Sequence, residues 1–149
     1  VDNSLQARGN FYESATGRVL LAAMDADDLE RVLARDGQPS LECWPEAKGG
    51  RALAECLAAI RRDRLAVMPT AGGTVQFVAV PVDGPDGKVW LALGVSVPTS
   101  RFAPARRKQI VAALRQAATE MAGRLALAHA WVMPGPASAA RAGVQLHTR

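Results

Sequence analysis

The chain has 149 residues, is 49% apolar and carries a formal net charge of +4, with a pI near 9.7. That length suits one domain burying roughly 70% of its unfolded surface, so no disulfide or metal staple is needed. No apolar run is long enough to span a bilayer and no signal-peptide pattern opens the chain, so a cytoplasmic protein without membrane contact is expected.

The chain opens on Val1 rather than methionine, as expected of a fragment or processed piece. Its only cysteines, Cys43 and Cys56, do not make a disulfide framework or a metal-ligand spacing, and read as idle thiols in a reducing compartment. His129 and His147 both fall near the C-terminus, so no metal site is expected. The basic runs Arg61-Arg62 and Arg106-Arg107-Lys108 read as solvated helix faces. With no helix-turn-helix, zinc knuckle or aromatic-interleaved basic strand, this piece is not expected to bind nucleic acid directly.

In chain order, residues 4–12 can form a short strand. Ser14 or Thr16 then caps a helix over "GRVLLAAM". Asp25 caps a second helix, whose acidic first turn suits the positive end of the dipole and which Gly37 closes. After a loop, a third helix is predicted over about 46–64, with Leu53, Leu57 and Ile60 on one stripe and Gly49-Gly50 weakening its start. The period then falls to two. Residues 65–70 read as a strand, and 75–83 with 88–98 as a hairpin around Gly84-Pro85-Asp86-Gly87. A long helix over about 104–130 follows, with Ile110, Leu114, Ala117, Met121 and Leu125 as its apolar stripe. The Pro, Ala, Gly and Ser-rich segment 131–149 is expected to be a flexible tail. The fold class is therefore α+β, with helices packed on a curved antiparallel sheet.

The turn predicts a register. If Gly84 faces Lys88, then Gln76 faces Ser96 and Val78 faces Gly94. Val75, Phe77, Ala79 and Pro81 then share a wholly apolar face with Leu91, Leu93, Val95 and Val97, for which the long helix is the natural cover. The other face collects Gln76, Gly94 and Ser96 at one end, as a lined cavity would.

No catalytic set is visible. Ser14, Ser96 and Ser100 have no histidine in a plausible region, Cys43 lacks a base, and the Asp25, Asp27 and Asp28 cluster is a helix start. "ATGR" lacks the frame of a phosphate loop. Neither an enzyme nor a cofactor is expected.

Four stretches carry a resemblance: "SATGRVLLAAM", "LAAIRRDRLAV", "FVAVPVDGPDGKVWLALGVSVPTSRF" and "IVAALRQAATEMAGRLA". In order and spacing they resemble the C-terminal effector-binding domain of IclR-type bacterial transcriptional regulators, over about Leu5 to Leu127. The resemblance implies a GAF-like fold around a cavity on the sheet, which binds a small organic acid or aromatic metabolite. It also implies homodimers or homotetramers, and DNA binding through a separate N-terminal winged helix-turn-helix that these residues do not contain. Residues 1–130 would be the sensor domain. Carried over by position, the effector contacts fall on Ala15, Thr16 and Gly17 at the helix start, Met68, Thr70, Thr74 and Gln76 around the first two strands, and Gly94 and Ser96 on the hairpin return. Met68 and Thr70 lie where the family often has acidic residues, and Val97 where it often has glycine. An oligomerisation module with a vestigial pocket is the other reading of the same pattern.

Overall fold

The computed structural model describes residues 11–132. Its elements run α1 (Ala15–Ala23), α2 (Ala26–Asp36), α3 (Gly50–Asp63), β1 (Ala66–Pro69), β2 (Val75–Asp83), β3 (Val89–Pro98) and α4 (Pro104–Val132). Short 3-10 turns occupy Phe11–Glu13, Pro45–Ala47 and Thr99–Arg101. The strands form one antiparallel sheet in the order β1-β2-β3.

Most boundaries follow local chemistry. Ser14 caps α1 by accepting from the Gly17 N–H at 3.0 Å, and Asp25 caps α2 by accepting from the Asp28 N–H at 2.9 Å. Three elements differ from expectation. Phe11 and Tyr12 belong to a 3-10 turn rather than a strand, while 4–10 lie outside the described residues. The third helix begins at Gly50, because Gly49 at φ 89° lies outside the helical region and stands as its N-cap, after a short turn that ends at Ala47. The last helix runs on to Val132, and the remainder of the expected tail lies outside the described residues.

The hairpin register is the main correction. The turn itself forms as expected, with the Gly84 N–H donating to the Lys88 carbonyl at 2.7 Å. One step further on, Asp83 pairs with Val89 but Val82 pairs with Leu91, so Trp90 is left over in a bulge. Its indole packs onto the Cα of Gly84, where an added Cβ would come within 2.3 Å of the ring. The indole Nε1–H also donates to Asp86 Oδ1 at 2.8 Å. This tethering of a large side chain over the turn accounts for the bulge. Beyond it every pair is shifted by one: Gln76 faces Val97, Phe77 faces Ser96, and Ala79 faces Gly94.

The shift exchanges the two faces of β2 while leaving those of β3 unchanged. Val78, Val80 and Val82, with Val67 of β1 and Leu93 of β3, lie under α4 against Val111, Leu114 and Ala118. The stripe of α4 is correspondingly rotated: Val111 and Ala118 are buried and Ala117 is exposed. On the opposite face Phe77 and Ala79, with Ala66, Met68 and Ala92, pack against Ala15 and Val19 of α1. A third cluster joins α1 to α2, α3 and the intervening loop through Tyr12, Leu21, Val32, Trp44, Leu53 and Leu57. Each such fully buried large side chain contributes about 1.5–3 kcal/mol. The sheet is thus covered by α4 on one side and α1 on the other.

Candidate functional site

A cleft of about 310 Å³ opens where the start of α1 meets the exposed end of β3. Its walls are Glu13, Ser14, Ala15 and Thr16 on one side, and Phe77, Gly94 and Ser96 on the other. That volume lies at the lower end of the range for small-molecule sites.

Two glycines allow this geometry. A Cβ on Gly94 would lie 2.8 Å from Thr16 Cγ2 and 3.2 Å from the Val78 carbonyl oxygen. A Cβ on Gly17 would lie 2.5 Å from the Phe11 carbonyl oxygen. The first lets α1 press onto the sheet, and the second lets the Phe11–Glu13 turn press onto α1.

The polar groups offered to the cleft come mainly from the helix start. The N–H groups of Ala15 and Thr16 precede the first intrahelical bond, which runs from the Arg18 N–H to the Ser14 carbonyl. The Gly17 N–H is already taken by Ser14 Oγ, and the Thr16 hydroxyl donates to the same oxygen at 3.4 Å. The hydroxyl of Ser96 and the ring of Phe77 complete the surface. Glu13 is the one charged group in the lining, and it is an acid.

Of the residues expected to touch an effector, the structure brings Ala15, Thr16, Gly94 and Ser96 together here. Gly17 stands behind the helix start, and Met68 is buried beneath α1 in the same cluster as Ala15. Thr70, Thr74 and Gln76 lie elsewhere. Thr70 bonds Val75 across the β1–β2 turn. The Thr74 carbonyl accepts from the Thr99 N–H, and the Gln76 amide donates to Thr99 Oγ1 at 3.4 Å. Gln76 is displaced because the bulge moved it to the α4 face. The same shift brings in Phe77, which the turn alone assigned to the opposite face; the bulky Trp90 beside the turn was the available signal.

Arg18 was not singled out by the sequence pattern. It is 5% exposed, and its guanidinium donates to the carbonyls of Tyr12 at 2.9 Å and Cys43 at 2.7 Å. It lies 4.1 Å over the ring of Trp44. Burial draws its pKa down from the usual arginine value, with the Cys43 and Glu46 environment opposing the shift. The residue ties α1 to the loop before α3 and does not line the cleft. Among the described residues no group of three His, Cys, Asp or Glu side chains could hold a metal ion. No helix among them is long and apolar enough to cross a membrane.

The family model for the C-terminal region of the bacterial transcriptional regulator IclR matches residues 4–122. The chain belongs to the IclR family. Solved structures agree. An IclR transcriptional regulator from a Silicibacter species is 31% identical at TM-score 0.65, over 79% of this chain and 46% of that one. The C-terminal domain of the E. coli transcriptional regulator KdgR is 27% identical at TM-score 0.67, over 78% of this chain and 71% of that one. A double mutant of the inducer-binding domain of the Acinetobacter transcription factor PobR, solved with 3-hydroxybenzoic acid, is 24% identical at TM-score 0.64, over 75% of this chain and 65% of that one. That last likeness concerns the fold alone. A search of curated proteins finds no match. The IclR assignment makes the fold the GAF-like α+β type and the domain that of a regulator, not a member of an enzyme family. The chain spans about half the length of the Silicibacter regulator.

Proposed function

We propose that this IclR-type domain senses a small organic acid or aromatic metabolite in the cleft between α1 and β3. Binding there would change the placement of paired subunits, and so the DNA affinity of a separate N-terminal domain, in the cytoplasm. The observation that carries this reading is the cleft itself. The unbonded N–H groups of Ala15 and Thr16 and the Ser96 hydroxyl converge on a space walled by Phe77. An aromatic ring would pack on Phe77, and a hydroxyl or carboxyl oxygen would take the helix-start N–H groups. The complex of 3-hydroxybenzoic acid with a double mutant of the PobR domain, of like fold, supports the ligand class. Glu13 at the rim opposes a carboxylate, so modest affinity is expected.

A calorimetric screen of hydroxybenzoates and short carboxylates tests the reading. A hit should bind about three- to tenfold more weakly to Thr16→Val/Ser96→Ala, since the Ser96 hydroxyl is lost as a partner while the helix-start N–H groups remain. Unchanged affinity would place the ligand elsewhere.

A second reading, a homodimer or homotetramer module with a vestigial cleft, is favoured by β3. It is an edge strand among the described residues and carries no charged side chain, and Leu91 and Val95 remain 44% and 39% exposed. Sedimentation separates the two: a stable oligomer that binds no member of the screen supports this one.

A further inference from the structure

The cleft at α1 holds an acid and no base, whereas a larger cavity on the opposite side of the sheet has the reverse chemistry. It encloses about 570 Å³ along α4. Its floor is Leu65, Phe102 and Val111, and its charged walls are Arg107, Lys108 and Arg115. No acidic residue lines it. Val111 is buried, and Leu65 and Phe102 are partly buried in the cluster beneath α4.

The helix explains the arrangement. Arg107, Lys108, Val111 and Arg115 fall at i, i+1, i+4 and i+8 and so share one side of α4. The basic run read from sequence as a solvated face therefore borders an apolar recess. Arg115 is held in place, its Nη2 donating to the Asp63 carbonyl at 2.9 Å. The Arg107 guanidinium stands 5.9 Å from the centre of the Phe102 ring. None of the three cations has a carboxylate within ion-pair distance among the described residues, whereas the neighbouring Arg62 and Arg64 are paired with Asp63 and Asp83. Two cations without a carboxylate in ion-pair contact, and a third held beside Asp63, around an apolar floor suit a ligand with a negative head and an apolar body. A polyanion recognised through charge alone would have no use for the floor.

We propose that this cavity is a second ligand site, which binds an amphipathic organic anion such as an aryl carboxylate, independently of the cleft at α1. The carboxylate bonds Arg107 and Lys108, with Arg115 at the far end of the recess, and the apolar body covers Phe102 and Leu65.

The probe is 2-naphthoate, titrated into the 149-residue chain by calorimetry, with 2-naphthamide as its uncharged analogue. Saturable naphthoate binding is expected, at least about tenfold weaker in Arg107→Gln/Lys108→Gln, where two charged partners are lost. It should also weaken as salt is raised, be at least about tenfold weaker for the amide, and persist in Thr16→Val/Ser96→Ala. Both variants alter exposed or half-exposed positions, and circular dichroism verifies that each is folded. The proposal is overturned if naphthoate does not saturate, if the amide binds equally well, or if Arg107→Gln/Lys108→Gln binds as the parent does. Binding lost only in Thr16→Val/Ser96→Ala also overturns it, and leaves the cleft at α1 as the ligand site.

Discussion

The methyl group of Thr16 rests on Gly94, with Cγ2 2.8 Å from the point a Cβ on residue 94 would occupy. This contact sets the distance between α1 and β3 and hence the width of the cleft. Gly94→Ala should destabilise the domain by about 1–3 kcal/mol, the usual cost of overpacking. Thr16→Ser removes the obstructing methyl, so the double variant should recover part of the loss. Urea denaturation of the two single variants and the double one measures this as a cycle. Strict additivity would mean that the two residues do not meet.

Arg18 is buried with no carboxylate in ion-pair contact among the described residues, and its guanidinium donates instead to the backbone carbonyls of Tyr12 and Cys43. Arg18→Met keeps much of the packing and orphans the acceptors on Tyr12 and Cys43. A loss of about 2–4 kcal/mol is expected, since each buried unsatisfied group costs about 1–3 kcal/mol. Arg18→Lys should recover little, because an ammonium cannot fork between two carbonyls while stacking on Trp44. Thermal or urea unfolding decides between these outcomes.

Burial raises the Tyr12 phenol above its ordinary pKa, and the nearby Asp36 carboxylate adds to the effect. The unfolded chain therefore ionises first as pH rises. The protonated phenol's contribution is fully present below the unfolded value of about 10, and is lost as pH climbs through the higher folded value. The thiols of Cys43 and Cys56 are also raised by burial and act in the same direction. Tyr12→Phe should be less stable at neutral pH by about 1 kcal/mol, since the bond to the Gly37 carbonyl is gone. Above pH 10 its stability should fall less steeply than the parent's. Parallel slopes in alkaline urea titrations would remove Tyr12 from the account.

The same thiol shifts predict slow chemistry at the cysteines. Both are free and half-buried, and burial pushes their pKa values up. At pH 8 their modification by a disulfide reagent should be slower than that of an unfolded control, because less thiolate is present. Equal rates would contradict the burial of the two thiols.

Gly84→Ala should displace the Trp90 indole, whose ring atoms lie within 2.3 Å of the added Cβ position. The cost should stay near about 1 kcal/mol, because the obstacle is a half-exposed side chain that can move. The tryptophan emission difference from Trp90→Phe reports the displacement. An unchanged spectrum would show that the ring does not pack on the turn.

The elements read from the sequence are those specified by local chemistry. The Ser14 and Asp25 caps, the start of α4 at Pro104, and the two-residue period of β2 and β3 each depend on a few neighbouring residues. That Ala15 and Thr16 meet Gly94 and Ser96 was implied by the family resemblance, while local chemistry groups only the members of each pair. The helix start is set by its cap, and the two β3 residues share a face by alternation alone. Gln76 and Phe77 exchanged roles because their placement depends on how two strands are paired, not on either strand.

By itself, then, the sequence determined the α+β class, the order of the helices and strands from the first helix onward, and the family. The tertiary structure decided the register. One tryptophan packed over a glycine and bonded to Asp86 inserts a single residue into β3, and with a period of two that single residue turns β2 over. It also decided what the basic run on α4 faces. Helical spacing puts Arg107, Lys108 and Arg115 on one side, but only the packing of α4 onto the sheet places Leu65 and Phe102 beneath them.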